Sequence, residues 1–83
     1  MTGHQGLALR LLNDAEGMVD THQMRLKLTI ASGGRREWSY DRTHALLTRL
    51  HQGGLVARLR PRDKSVSRWT ITPEGRRRLE GLL

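Results

Sequence analysis

An α+β fold, short helices closed by a single β-hairpin, is what this 83-residue sequence predicts, and three observations carry the prediction. Three segments before residue 53 space their apolar residues at i and i+4, the helical period, and glycine follows each of them. The spacing then drops to two on both sides of a proline-containing turn, as in a two-stranded hairpin. Finally, Thr72-Pro73-Glu74-Gly75 restarts a helix: an N-cap, a proline at the first helical position and an acid that complements the helix dipole.

Leu7, Ala8, Leu11, Leu12 and Ala15 predict an amphipathic helix over roughly residues 4–16, stopped by Gly17. Met18-Val19 reads as a short extended piece. Asp20 or Thr21 can cap a second helix whose buried stripe is Met24, Leu28 and Ala31, and Ser32-Gly33-Gly34 stops it. Residues 35–38 link to a third helix. Ser39 is its N-cap, Asp41 lies in its first turn, Leu46, Leu47 and Leu50 form its buried stripe, and Gly53-Gly54 closes it. In the hairpin, Leu55, Ala57 and Leu59 alternate with Val56, Arg58 and Arg60. Pro61-Arg62-Asp63-Lys64 has turn chemistry. Residues 66–72 alternate again, with Trp69 and Ile71 on one face and Arg68 and Thr70 on the other. The hairpin therefore has one apolar and one basic face. Leu79, Leu82 and Leu83 supply the apolar contacts of the last helix.

A chain of this length holds one core, so residues 1–83 are expected to form a single domain. The absence of cysteine excludes a disulfide framework, a thiolate zinc site and a cysteine nucleophile, and it fits a reducing cytoplasm. No apolar run is long enough to span a membrane, and the first residues lack the apolar centre of an export signal.

The charge is unevenly placed. Fifteen Lys and Arg against eight Asp and Glu give a net charge of +7. Residues 1–34 carry three cations and three acids and are neutral, so residues 35–83 hold the whole excess. Thirteen of the fifteen cations are arginine, whose planar fork of donors matches phosphates and guanine edges. That asymmetry points to a polyanionic partner.

The order helix, short strand, helix, helix, basic hairpin, helix is that of a winged helix-turn-helix: a three-helix core, a β-hairpin wing and a short C-terminal helix. Leu50-His51-Gln52-Gly53-Gly54-Leu55-Val56-Ala57-Arg58 resembles the L-x-x-x-G-L-V-x-R passage that leaves the recognition helix in MarR-type and PadR-type regulators. Trp69-Thr70-Ile71-Thr72-Pro73-Glu74-Gly75-Arg76-Arg77-Arg78-Leu79 resembles their aromatic-x-L-T-x-x-G-x-x-x-L exit from the wing. The two motifs occur in order with the hairpin between them. The stretch SGGRREWSYD is longer than the usual turn between helices two and three. The resemblance implies sequence-specific binding to double-stranded DNA by a transcriptional regulator.

On that reading the third helix enters the major groove, where side chains reach base edges, and the hairpin lies on the backbone or in the minor groove. Arg42 and Arg49 are candidates for guanine or phosphate, His44 and Thr48 for base edges, and Ala45 for a thymine methyl. Ser39 and Tyr40 can bring hydroxyls and a backbone N–H to a phosphate. Tyr40 and Trp38 equally fit a core, and Trp38 is assigned there. Arg60, Arg62, Lys64 and Arg68 are the candidate wing contacts, although cations also protect exposed strand edges. Arg58 lies closer to the body. Arg35 and Arg36 can touch the backbone from the turn, whereas Arg76, Arg77 and Arg78 read as solvated.

No enzyme constellation is present. His44 and His51 are seven residues apart, a rise of about 10 Å and too far for one metal ion. No nucleotide-loop or zinc-protease motif occurs, so no metal, no cofactor and no catalytic residue is expected. The expected partner is double-stranded DNA, with a homodimer as a further possibility and no membrane, in a cytoplasmic, nucleoid-associated setting. Size and basic content also suit a phage or mobile-element repressor or excisionase. Two alternatives stay open on charge alone: a winged-helix module that binds an acidic protein surface, and a binder of structured RNA.

Overall fold

The structure, a computed structural model, describes residues 3–15, 17–34, 37–60 and 67–81. The elements in chain order are α1 (Gly3–Asp14), β1 (Val19–Asp20), α2 (Thr21–Ala31), α3 (Tyr40–Gln52), β2 (Val56–Leu59), β3 (Arg68–Ile71) and α4 (Pro73–Glu80). This is the expected winged helix-turn-helix order, the short strand included. The two-residue β1 pairs antiparallel with β3, which makes a three-stranded sheet in the order β1-β3-β2. The expected wing turn at residues 61–64, the candidates Arg35, Arg36, Arg62 and Lys64, and Leu82 and Leu83 lie outside the described residues.

The helix starts are set by side chains that accept orphan backbone N–H groups. The Asp20 carboxylate accepts from the Gln23 N–H at 2.7 Å, and the Gln23 side chain accepts from the Asp20 N–H at 3.1 Å, a reciprocal capping box. Ser39 caps α3 by accepting from the Arg42 N–H at 3.1 Å. Thr72 caps α4 by accepting from the Gly75 N–H, with Pro73 following it as expected.

The core gathers around Trp69, which is fully buried in the middle strand with Leu9, Met24, Leu28, Leu47, Leu50 and Val56. The indole N–H donates to the Thr21 hydroxyl at 2.9 Å, and that hydroxyl donates to the Ser67 carbonyl at 3.4 Å. Two buried polar groups are thereby satisfied inside the core. The long turn between α2 and α3 is anchored by Trp38, which is 4% exposed, in agreement with its core assignment. Its backbone N–H donates to the Thr29 hydroxyl at 2.9 Å and its indole N–H to the Ser32 hydroxyl at 3.4 Å.

The packing corrects four expectations. In α1 the buried residues are Ala8, Leu9 and Leu12, while Leu7, Leu11 and Ala15 are only partly covered, because the helix is rotated toward β3 and α4. Ala31 is exposed at the end of α2, and Thr21 takes the inward place at its start. In α3 the stripe is Thr43, Leu47 and Leu50, with Leu46 at its margin. Thr43 can face inward because its hydroxyl donates to the Ser39 carbonyl at 2.9 Å. The faces of β2 are the reverse of the expected ones. Val56 pairs with Ile71 and Arg58 with Trp69, so Val56 and Arg58 share the core side, while Ala57 and Leu59 turn outward. Leu55 is still buried, but in the turn that precedes the strand, so it does not set the strand's phase.

Candidate nucleic-acid interface

With Thr43, Leu47 and Leu50 turned inward, helical geometry fixes what α3 shows to solvent. The opposite stripe is Asp41, Ala45, Thr48 and Gln52, of which all but the half-buried Thr48 are exposed. Asp41 and Gln52 were not among the expected site residues. The same spacing argument that selected Ala45 and Thr48 would have found them, had the stripe been drawn opposite Thr43, not Leu46.

Two flanks border this stripe. On the first, Arg42, Ala45, Leu46 and Arg49 line a shallow open cavity of about 290 Å³ together with Trp38 and with His4 and Gln5 of α1. The Arg42 guanidinium lies 3.9 Å from the centre of the Trp38 ring, and His4 meets the same ring edge-on at 5.1 Å. Trp38 thus holds Arg42 by a cation–π contact and leaves its N–H fork exposed. Arg49, two turns along, is exposed on the same side.

On the second flank, His44 faces the base of the hairpin, and Thr48 lies one turn along beside His44. The Arg58 guanidinium bonds the Ser67 hydroxyl at 3.0 Å and His44 Nε2 at 3.3 Å, and it lies 5.2 Å from the Trp69 ring centre. His44 stacks on Tyr40, and His51 Nδ1–H donates to the Val56 carbonyl at 3.0 Å. The hairpin base is thereby fastened to α3, and β2 lies beside the helix. Tyr40 is partly exposed at the helix start, between the rings of His22 and His44.

The structure brings Arg42, Ala45 and Arg49 together, and separately His44, Thr48 and Tyr40. Ser39 stands at the helix start as its cap. Arg60 is exposed just past the end of β2. Arg68 is exposed too, but it pairs with Leu59 and Asp20 on the sheet face turned away from Trp69, so it does not join the α3 group. Arg76, Arg77 and Arg78 are exposed on α4, and Arg77 pairs with Glu74 at 2.8 Å. The other ion pair among the described residues is Arg25–Glu37 at 4.0 Å. Arg42, Arg49, Arg60 and Arg68 thus have no carboxylate within ion-pair distance among the described residues. No group of three or more metal-ligating side chains occurs among them, and no helix is long and apolar enough to cross a membrane.

Fold and surface together define a winged helix-turn-helix protein, with the architecture of MarR- and PadR-type regulators. Among solved structures, RosR of H. salinarum superposes with a TM-score of 0.84 at 22% identity, over 98% of this chain and 69% of that one. A MarR family protein from Bacillus stearothermophilus gives 0.76 at 27% identity, over 98% of this chain and 50% of its own. Bacillus subtilis PadR, solved in complex with operator DNA, gives 0.74 at 15% identity, over 94% of this chain and 45% of its own. The chain thus spans about half the length of the MarR and PadR proteins. No family model matches it, and neither does any curated protein sequence.

Proposed function

We propose that the chain is a sequence-specific binder of double-stranded DNA and acts as a transcriptional regulator. In this reading α3 enters the major groove and the hairpin lies against adjacent backbone or the minor groove. The observation that carries it is the exposed face of α3, with Arg42 and Arg49 free of carboxylate partners among the described residues and the hairpin base fastened alongside. The PadR structure with operator DNA supports the reading by its shared fold. Arg42 and Arg49 take guanine or phosphate, Thr48 a base edge and Ala45 a thymine methyl. Ser39 and Tyr40 meet a phosphate at the helix start, and Arg60, with Arg35, Arg36, Arg62 and Lys64, adds backbone contacts. His44 acts through its neighbours.

Selection of bound sequences from a random duplex pool tests this directly, with footprint length read from the winners. If about five phosphates are neutralised, log K falls against log salt with a slope near −4.5. A slope near zero, or a pool that yields no preferred sequence, overturns the reading. A cytoplasmic, nucleoid-associated location goes with it, and small size and basic content suit a phage or mobile-element repressor or excisionase as the finer role.

A protein contact has a specific observation in its favour. Met18, Leu26 and Ile30 are exposed apolar residues on and beside α2, and Ile30 is 76% exposed. A homodimer built there predicts two half-sites about 34–36 Å apart or a multiple of that spacing, whereas a monomer predicts one short footprint.

A further inference from the structure

We infer that Arg58 is a positioning residue: through His44 it fixes Thr48 of α3 as a hydrogen-bond donor toward DNA. The inference rests on the DNA reading above and names what that site selects.

The sequence sets Arg58 closer to the body than the wing cations, and its surroundings agree. It is half-buried, its Nε–H donates to Ser67, its Nη2 meets His44 Nε2 at 3.3 Å, and its plane lies by the Trp69 ring. A guanidinium has donors only, so His44 Nε2 must be the acceptor. The imidazole is then neutral and carries its proton on Nδ1. That N–H faces the Thr48 hydroxyl at 3.5 Å and can only donate to it. Thr48 Oγ1 accepts, and its own hydrogen is left to point elsewhere. The ring is held for this task, stacked on Tyr40 with 16° between planes and edge-on to Trp69 at 76°.

The consequence is a choice of base edge. A hydroxyl whose hydrogen is free can donate to purine N7, guanine O6 or thymine O4, and it keeps one further lone pair. With the opposite tautomer Thr48 would donate to His44 and present only lone pairs to the groove, and those base acceptors would be closed to it. The residue that decides between them is on the second strand of the sheet, ten positions from Thr48, and need not touch DNA.

Two measurements test this. Long-range proton–nitrogen NMR of the free chain at neutral pH should show His44 protonated on Nδ1, the minority form of free imidazole. Protonation on Nε2 overturns the inference without any DNA being present. Sequence selection should then be repeated with Thr48→Val, Arg58→Met and His44→Phe. Arg58→Met keeps the aliphatic stem over Trp69, and His44→Phe cuts the relay while keeping the ring contacts, so one remains informative should the other fail to fold. The expected result is that all three flatten a preference at the same base pair, from about fivefold or more toward unity. The expected salt slope of Arg58→Met stays close to that of the parent. A slope shallower by about 0.9, with the base preferences intact, would make Arg58 an ordinary phosphate contact and overturn the inference. A parent chain that retains no duplex ends the DNA reading instead, and the tautomer still decides the relay.

Discussion

Gly75 sits one turn into α4, where helix propensity alone favours replacing it with alanine by about 1 kcal/mol. The structure reverses that expectation. A Cβ at this position would run into the Leu55 carbonyl oxygen and lie 2.8 Å from Cγ1 of Ile71. The Ile71 side chain has some freedom to give way, but the carbonyl does not. It already accepts the Thr72 N–H at 3.1 Å, and the same turn is tied again by the Thr72 hydroxyl donating to the Gly54 carbonyl at 2.7 Å. Relief therefore requires α4 to lift away from the turn that follows α3, at the cost of those hydrogen bonds and of Leu79 packing. Overpacking of this kind costs about 1–3 kcal/mol, and more where backbone is the obstacle. After the propensity gain, Gly75→Ala is expected to lose about 2 kcal/mol, a fall in Tm of roughly 8–16 °C for a domain of this size. Gly81→Ala is the control. Its Cβ would meet only ordinary contacts at 3.5 and 3.7 Å, so it should be neutral or mildly stabilising. Thermal and urea unfolding followed by circular dichroism measure both. A Gly75→Ala variant as stable as the parent would refute the close approach of α4 to the Leu55 turn.

Thr21→Val should cost about 1–3 kcal/mol in urea unfolding, because it leaves the fully buried Trp69 N–H without its acceptor, whereas Thr21→Ser should recover most of the loss. Asp20→Ala should cost about 1 kcal/mol by removing the α2 capping box, and a cycle with Gln23→Ala should show the two to be coupled. Ile30→Lys should change stability by less than about 0.5 kcal/mol, as the side chain is largely in solvent, while sedimentation would report any dimer that it disrupts.

The helices and their ends were legible because their signals are local. Ser39, Thr72 and the glycine stops act within a turn of where they stand, and Asp20 proved to be the cap of the two residues considered. The sheet was only half legible. β1 is two residues long, and its pairing with β3 depends on Trp69 being in place, which no window of sequence contains. The phase of β2 was misread because Arg58 counted as a surface residue. Its charge is accommodated on the core side by Ser67, His44 and the Trp69 ring, partners from other elements. Thr21 and Thr43 escaped the core reading for a related reason: each is inward-facing only because its hydroxyl finds a partner. On α3, the helical period alone turns Arg42, Ala45 and Arg49 outward, and the structure has all three exposed. His44 was read as a base-edge candidate, and only the fold shows that the hairpin engages it first.

The pairing of Val19 with Trp69 joins positions fifty residues apart, and the first helix of the helix-turn-helix begins directly after the shorter strand. Little of the scaffold can therefore be secured until the far side of the hairpin has been synthesised, since the indole that fills the centre and the strand that receives β1 arrive together. Loop closure over that distance has to precede the contacts that reward it. A chain interrupted before Trp69 should thus expose Leu9, Met24 and Leu28 together, which makes incomplete translation products natural prey for proteases and chaperones.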